Sequence, residues 1–558
     1  MSSIGKGWAS LKRWTLAAGG IHATLAVLAV FSVAPPARAQ SFRVQCPATT
    51  ALHPGVCSGG TNAGQICVTL ADCPDPSGAC VGGLVDSNHP GQVKCQHIGG
   101  GDGYATMGDG TQIYLFAFSP LSGLSDIQAG KPGTQTAAAF NAGYVGPNYS
   151  TLGIGSCVGG NNRGESCQAL SDCSDSTSTG AACAFNAGSN LAATPNNGAV
   201  TEPAGIMDMG VLAGNAPAPL MAIDEDDEFF LTLSNPGMIM RPDLFEQHTV
   251  HFHGYPNASS YFDGVPDASI AINIAGSFTY YYTAPDAGTY FWHCHITPPE
   301  HLQMGMVGQL YVRPRQNRVP STQALRATLI AANQKAAVDP SVSGLLCTDI
   351  LCTGQTPVPP ANTITGGAKY AYNDGDGSTQ YDVEYPIQMM GFDPNFHYVG
   401  MTFNPEAFAD MKDKYFLLSG RGYPDTVNPN ALSTVSADGV SRPSQPLPSL
   451  IQINKSAGQT RALLRISDLS VTEFTTLGTV GIPMEVIALN ARLLRDMAGN
   501  NLYYNTNSVT LGGGESADVI LDATDIPVGT YFLYSTNLDH LSNDAENFGG
   551  MMTEIQVL

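Results

Sequence analysis

"AGTYFWHCHITPPEHLQMGMVGQLYV", residues 287–312, is the stretch whose reading decides the fold. Two runs rich in aromatic and β-branched residues, the mark of strands, flank a loop holding three histidines, a cysteine and two methionines. The chain has only twelve histidines and thirteen cysteines, so this density is a local feature and not one of composition. In a strand, side chains two apart share a face and adjacent ones do not. His293 and His295 therefore point one way and Cys294 the other. Upstream, "HTVHFHG" (248–254) follows the same rule: His251 and His253 share a face, and His248 lies opposite if the strand is regular.

Laid side by side, the two strands gather His251, His253, His293 and His295 on one side of a sheet. Cys294 and His248 are left on the other, where His301 and Met306 follow within one turn of chain. Two imidazoles, a thiolate and a long axial thioether form the donor set of a blue copper centre, which assigns His248, Cys294, His301 and Met306 to it. Met304, on the same loop, is the competing axial donor. The four-histidine face suits copper, with zinc as its main competitor. Cys294 is joined through the backbone to both His293 and His295, so an electron reaching the thiolate has a short through-bond path to the imidazoles.

Outward from this stretch, 558 residues exceed one ordinary core, and two folded domains are expected. The 62 glycines and 37 prolines, with few stretches of helical period, point to many short strands joined by turns. Strand signals at "GTQIYLFAFSPL" (110–121) and "PLMAIDEDDEFFLTLSN" (219–235) lead into the histidine strands, a spacing that suggests a β-sandwich. The C-terminal "VGTYFLYSTNLDH…FGGMMTEIQV" (528–557) parallels residues 287–312, so the domain is duplicated. Aligning "HTVHFHG" with "IPMEVIA" (482–488) places Ile482, Glu485 and Ile487 at the donor positions, and "YST" (534–536) replaces "HCH". No metal is expected in that second copy.

Lys6, Lys12 and Arg13, an apolar run and Ala37-Arg38-Ala39 make residues 1–39 a signal peptide, implying export and a compartment that permits disulfides. Cys57, Cys67, Cys73 and Cys80 recur as Cys157, Cys167, Cys173 and Cys183, in two matching segments of unresolved pairing. Cys46 with Cys95 and Cys347 with Cys352 could form further bridges, which leaves Cys294 over. The expected organisation is a Cys-rich disulfide module at 40–100, a copper-binding domain at 101–315 with a Cys-rich surface insertion at about 122–203, a linker at 316–369 and a second domain at 370–558. "DEDDE" (224–228) is read as a solvated turn. Asn257 begins a glycosylation acceptor. A net charge of −22 argues against nucleic acid as a partner.

"HTVHFHG" resembles the His-x-x-His-x-His-Gly motif of the multicopper oxidases, and "HCHITPPEHLQMGM" resembles their His-Cys-His segment. The resemblance covers about residues 105–123 and 203–315, and more faintly 370–558. It implies an all-β chain of two cupredoxin-like Greek-key domains, the second degenerate. It carries over His248, Cys294, His301 and Met306 as the type 1 site, and His251, His253, His293 and His295 as half of a type 2/type 3-like copper cluster that reduces dioxygen. A small-molecule or metal-ion reductant would be the electron donor. In family members that oxidise metal ions a carboxylate near the equivalent of His301 relays electrons, the role expected of Glu300. The family's cluster takes histidines from two domains, so a homo-oligomer or a partner chain is expected to complete it. A non-catalytic electron-transfer protein and a nitrite-reductase-like two-site enzyme are the alternative readings.

Overall fold

The computed structural model describes residues 42–82, 91–142, 144, 155–158, 166–167, 182–184, 198–255, 259–284, 286–318, 368–402, 407–496 and 500–558. The signal segment, Asn257, Cys173, Cys347, Cys352 and most of the 316–369 linker lie outside them.

Among the described residues eight principal strands build the first domain, and the two-residue Gln135–Thr136 strand pairs with Lys94 and Cys95 beside them. The eight are β1 (Val93–Thr106), β2 (Gln112–Pro120), β3 (Met221–Asp224), β4 (Glu228–Gly237), β5 (His251–Phe252), β6 (Ser277–Thr283), β7 (Gly288–His293) and β8 (Val307–Arg313). One sheet runs β3-β8-β7-β5 and the other β6-β4-β1-β2. Phe229, Tyr280, Tyr282, Tyr290 and Trp292 fill the space between them. Each such side chain contributes about 1.5–3 kcal/mol through burial.

Strand β7 is buried along its whole length, on both faces. Alternation explains this. Tyr290, Trp292 and Cys294 enter the core of the first domain, whereas Phe291 belongs to an apolar cluster shared with Met390, Phe392 and Leu417 of the second domain. On the same outward face Thr289 donates to Asp518 at 2.6 Å. The strand that carries the donors is thus held from both sides.

The second domain repeats the plan with β9 (Val383–Phe392), β10 (Tyr415–Leu418), β11 (Ile451–Ile453), β12 (Arg461–Asp468), β13 (Thr475–Val480), β14 (Met484–Leu489), β15 (Ser508–Leu511), β16 (Ser516–Asp522), β17 (Gly529–Ser535) and β18 (Met552–Val557). Its five-stranded sheet runs β11-β18-β17-β13-β15, and β10-β9-β12-β16-β14 lie in the other sheet. The parallel pair β11/β18 mirrors β3/β8.

This topology corrects the alignment of the second copy. The partner of β17 is β13, with Gly478 opposite Tyr534, as His251 of β5 stands opposite His293 of β7. "EQHTVHFH" (246–253) therefore corresponds to "EFTTLGTV" (473–480), and "IPMEVIA" lies on β14 in the other sheet. The expected hydrophobic match to "IPMEVIA" reflected β-patterning common to all strands of the sandwich.

In the N-terminal module Cys57 bonds Cys73, Cys67 bonds Cys80, and Cys46 bonds Cys95. The second repeat pairs its short strands in the same registers: Gly155 with Cys167 and Cys157 with Cys183, as Gly55 with Cys67 and Cys57 with Cys80. The expected surface insertion begins inside the molecule, since Leu124, Ile127, Ala137 and Phe140 are buried.

The acidic run is also not a solvated turn. Glu225, Asp226, Asp227 and Glu228 are all buried. Arg315 reaches both Glu225 and Asp226, Arg318 reaches Asp226, and Asn373 donates to Glu225 at 2.7 Å. Buried carboxylates require such partners, and here the two arginines arrive some ninety residues later in the chain.

Candidate metal centres

Two clusters of metal-ligating side chains arise at the end of β7, one on each face. In the first, Cys294 Sγ lies 3.2 Å from His301 Nδ1 and 3.9 Å from His248 Nδ1, and Thr249 donates its N–H to the sulfur at 3.4 Å. His248, Cys294, His301, Met304 and Met306 are all fully buried. Cys294 is free, outside the three disulfides.

Local structure sets these positions. His248 is held by paired backbone bonds with Ile272, just before β5. Its ring passes so close to β1 that a Cβ on Gly100 would meet His248 Cδ2 at 2.7 Å, so only glycine fits there. After His295 the chain turns at Thr297, whose φ is +36°, into helix α1 (Pro298–Gln303), which presents His301 to the sulfur. Met306 closes the loop. Its carbonyl accepts from the Cys294 N–H at 3.1 Å, and its N–H donates to the His301 carbonyl at 2.8 Å. That double link ties the backbone of Met306 to both Cys294 and His301.

Burial by itself would push the Cys294 thiol up, but the charge of His301 and hydrogen bonds from His248 and His301 outweigh it and hold the thiol well below its usual value. Burial likewise disfavours a charged His301, yet the Cys294 thiolate raises that imidazole to about 10. A buried cysteine sulfur facing two imidazole Nδ1 atoms is a donor set suited to a soft metal ion. The remaining nitrogen of His248 has no hydrogen-bond partner.

His301 Nε2 lies 3.5 Å from Glu246 Oε2, and the contact with His301 holds the Glu246 carboxyl below its usual value. Glu246 is the carboxylate that touches the cage. The sequence signal for it was slight, a glutamate two positions before His248. Glu300 is buried on α1 and adds to the negative field around His301.

On the opposite face the rings of His251, His253, His293 and His295 come together. His251 lies 5.0 Å from His295 and 5.4 Å from both His253 and His293, centroid to centroid, and His253 lies 5.0 Å from His293. The ligand atoms of His251, His253 and His293 lie within 4.8 Å of one another, with His295 at the edge of the group. His251 Nδ1 is 2.7 Å from the Asp263 carbonyl and His293 Nδ1 is 2.6 Å from the Cys294 carbonyl, which turns their Nε2 atoms toward the cluster, where His293 Nε2 lies 3.0 Å from His253 Nε2. Burial lowers His293 to about 3 and also lowers His253. Neutral imidazoles are the form that binds metals.

This face looks toward the second domain. A cleft of about 380 Å³ is lined by His253, Phe291 and Leu302 on one side and by Ser470, Phe474 and Gly513 on the other. Among the described residues the remaining histidines, His53, His97, His397 and His540, are buried and do not line it.

Residues 197–317 match the family model described as "Multicopper oxidase". The chain is 32% identical over 139 residues to multicopper oxidase MCE of Talaromyces pinophilus, covering 24% of this chain and 22% of that protein. It is 31% identical over 113 residues to laccase abr2 of Aspergillus fumigatus, covering 20% and 18%. The chain thus matches only about a fifth of the length of these curated relatives. Among solved structures, the blue copper oxidase of Nitrosomonas europaea aligns over 62% of this chain and 78% of its own, at 20% identity and a TM-score of 0.40. Both motifs that build the two clusters lie within residues 197–317, the segment that is similar to the multicopper oxidase family model.

Proposed function

We propose that this is an exported copper oxidoreductase that takes single electrons at the His248/Cys294/His301/Met306 cage and delivers them to the His251/His253/His293/His295 face, with dioxygen as the terminal acceptor. The observation that carries this reading is the division of one tripeptide between two clusters: Cys294 belongs to one cage, while His293 and His295 belong to the other. Copper held in these donor sets would supply one-electron redox chemistry.

The chain's own residues do the rest. The core aromatics exclude water from Cys294, and the Thr249 N–H steadies its sulfur. The Cys294 carbonyl, 2.6 Å from His293 Nδ1, couples the two faces through a hydrogen bond as well as through the backbone. Glu246, about a quarter exposed beside His301, marks the side at which a reductant approaches, and a metal-ion reductant would be drawn by its charge. Glu300 supports the same field from α1.

His253 is exposed, and His251 and His295 are half-buried, so the histidine face has room for donors from elsewhere. A second copy or a partner chain is the proposed source. Export is supported by the three disulfides, which persist in oxidising compartments. No described helix is long and apolar enough to cross a membrane.

The test is to load the purified protein with copper and measure copper content, solution mass, visible absorption and oxygen uptake together. Intense absorption that vanishes in Cys294→Ser, with reductant-dependent oxygen uptake, is expected. Absorption without oxygen uptake would mark an electron carrier, and nitrite-dependent turnover would mark the two-site alternative. A colourless loaded protein would end the proposal.

A further inference from the structure

The second domain keeps the frame of the Cys294 cage while lacking two of its donors. Ser535 ends β17 where Cys294 follows β7, and its N–H donates to the Met551 carbonyl at 2.9 Å, as the Cys294 N–H does to Met306 at 3.1 Å. The Met551 N–H donates to the His540 carbonyl at 2.8 Å, the same distance as from Met306 to His301. Ser535 Oγ lies 3.0 Å from His540 Nδ1, where Cys294 Sγ lies 3.2 Å from His301 Nδ1.

The outer contact recurs too. His540 Nε2 is 3.2 Å from Glu473 Oε2, and His301 Nε2 is 3.5 Å from Glu246 Oε2. Glu473 precedes Thr475 by two positions, as Glu246 precedes His248. Thr475 pairs with Leu511 across β13 and β15, the counterpart of the His248 to Ile272 bridge. Phe416 stacks on His540 at 3.9 Å, and Phe116, on the corresponding strand, meets His301 edge-on at 5.8 Å. Thr475, Ser535, His540 and Met551 are all buried. Nothing in the packing of a β-sandwich demands a buried histidine between a serine and a glutamate at this place.

We infer that Glu473, Thr475, Ser535, His540 and Met551 form a dismantled copper cage, a metal site short of one imidazole and one thiolate, and that Thr475→His with Ser535→Cys rebuilds it. The inference rests on the copper reading of the first cage. A hydroxyl cannot replace the thiolate, because it neither ionises at neutral pH nor gives a soft donor. The methionine, the second histidine, its outer carboxylate and the backbone links are already present. The two domains thus share one frame, with four donors in the first and two in the second.

The experiment is done on the full chain carrying Cys294→Ser, which removes colour from the first cage. Adding Thr475→His and Ser535→Cys is expected to bring back intense visible absorption and to raise copper content by about one per chain over Cys294→Ser alone. A folded triple variant, judged by its thermal transition, that gains neither would overturn the inference. If the triple variant does not fold, Cys294→Ser/Ser535→Cys is titrated with cobalt(II). A thiolate charge-transfer band saturating at about one equivalent supports the site, and its absence refutes it. Colour in the wild-type protein reports on the first cage independently, so a blue wild type beside a colourless rebuilt variant sinks this inference and spares the proposed function.

Discussion

His293 Nδ1 lies 2.6 Å from the carbonyl oxygen of Cys294, the residue that follows it and whose sulfur enters the opposite cage. One peptide unit is thus shared by both clusters. Cys294→Ser should abolish visible absorption and lower copper content by about one per chain, while the histidine face keeps its metal. Turnover should fall by more than the roughly 10–100-fold typical of losing an outer partner of a metal ligand. Copper analysis with electron paramagnetic resonance checks this, and retention of the visible band would contradict it.

Glu246 touches the outer nitrogen of His301, whereas Glu300 acts through the field around it. Glu246→Gln keeps the shape and removes the charge. Turnover of Fe(II) or Mn(II) should drop by roughly 10–100-fold while the colour stays, and an uncharged phenol should be affected much less. Glu300→Gln is expected to act in the same direction with a smaller effect. Equal loss with cationic and neutral reductants would show that the carboxylates do not select the donor.

Asp413 is buried, and burial raises its carboxyl to about 6 although Thr472 and Gln303 donate hydrogen bonds to it. Its folded pKa therefore lies above the unfolded one, near 3.8. Between these values the unfolded chain has released a proton that the folded chain still holds, so stability from this group falls as pH rises from about 4 to 6 and stays low above that. Asp413→Asn can accept from Gln303 and face the Thr472 hydroxyl. It should stabilise the protein by about 1–3 kcal/mol at pH 7 and by nothing at pH 3.5. Thermal melts at the two pH values decide it.

Strand parity was legible without coordinates, because a period of two depends only on the backbone. It placed Cys294 on the side of His248, opposite its flanking histidines, and placed His293 beside His251, as the structure has them. Cys294 stands outside the three disulfides, as counting the cysteines suggests. What escaped was long-range. Arg315 and Arg318 neutralise Glu225 and Asp226 across some ninety residues, and nothing local in "DEDDE" announces them. The alignment of the second copy failed for a related reason. "EFTTLGTV" has lost every histidine of "EQHTVHFH", and only the glutamate and one threonine persist, whereas the pairing of β13 with β17 identifies it at once.

The second domain also acts on the histidine face directly, through Gly514. This residue has φ of +89°, and a Cβ there would lie 2.5 Å from His253 Nδ1. Gly514→Ala therefore combines a left-handed backbone penalty of about 1–2 kcal/mol with a clash that must move either the loop or the imidazole. The loop is anchored, since the Gly514 N–H donates to the Asp468 carbonyl at 2.9 Å, so the exposed His253 gives way. The expected result is reduced metal at the His251/His253/His293 cluster and impaired oxygen uptake, with the visible band of the Cys294 cage unchanged. Copper analysis beside the absorption spectrum separates the two centres. Loss of the band together with the histidine-bound metal would mean that the loop supports β7 as a whole and not His253 in particular.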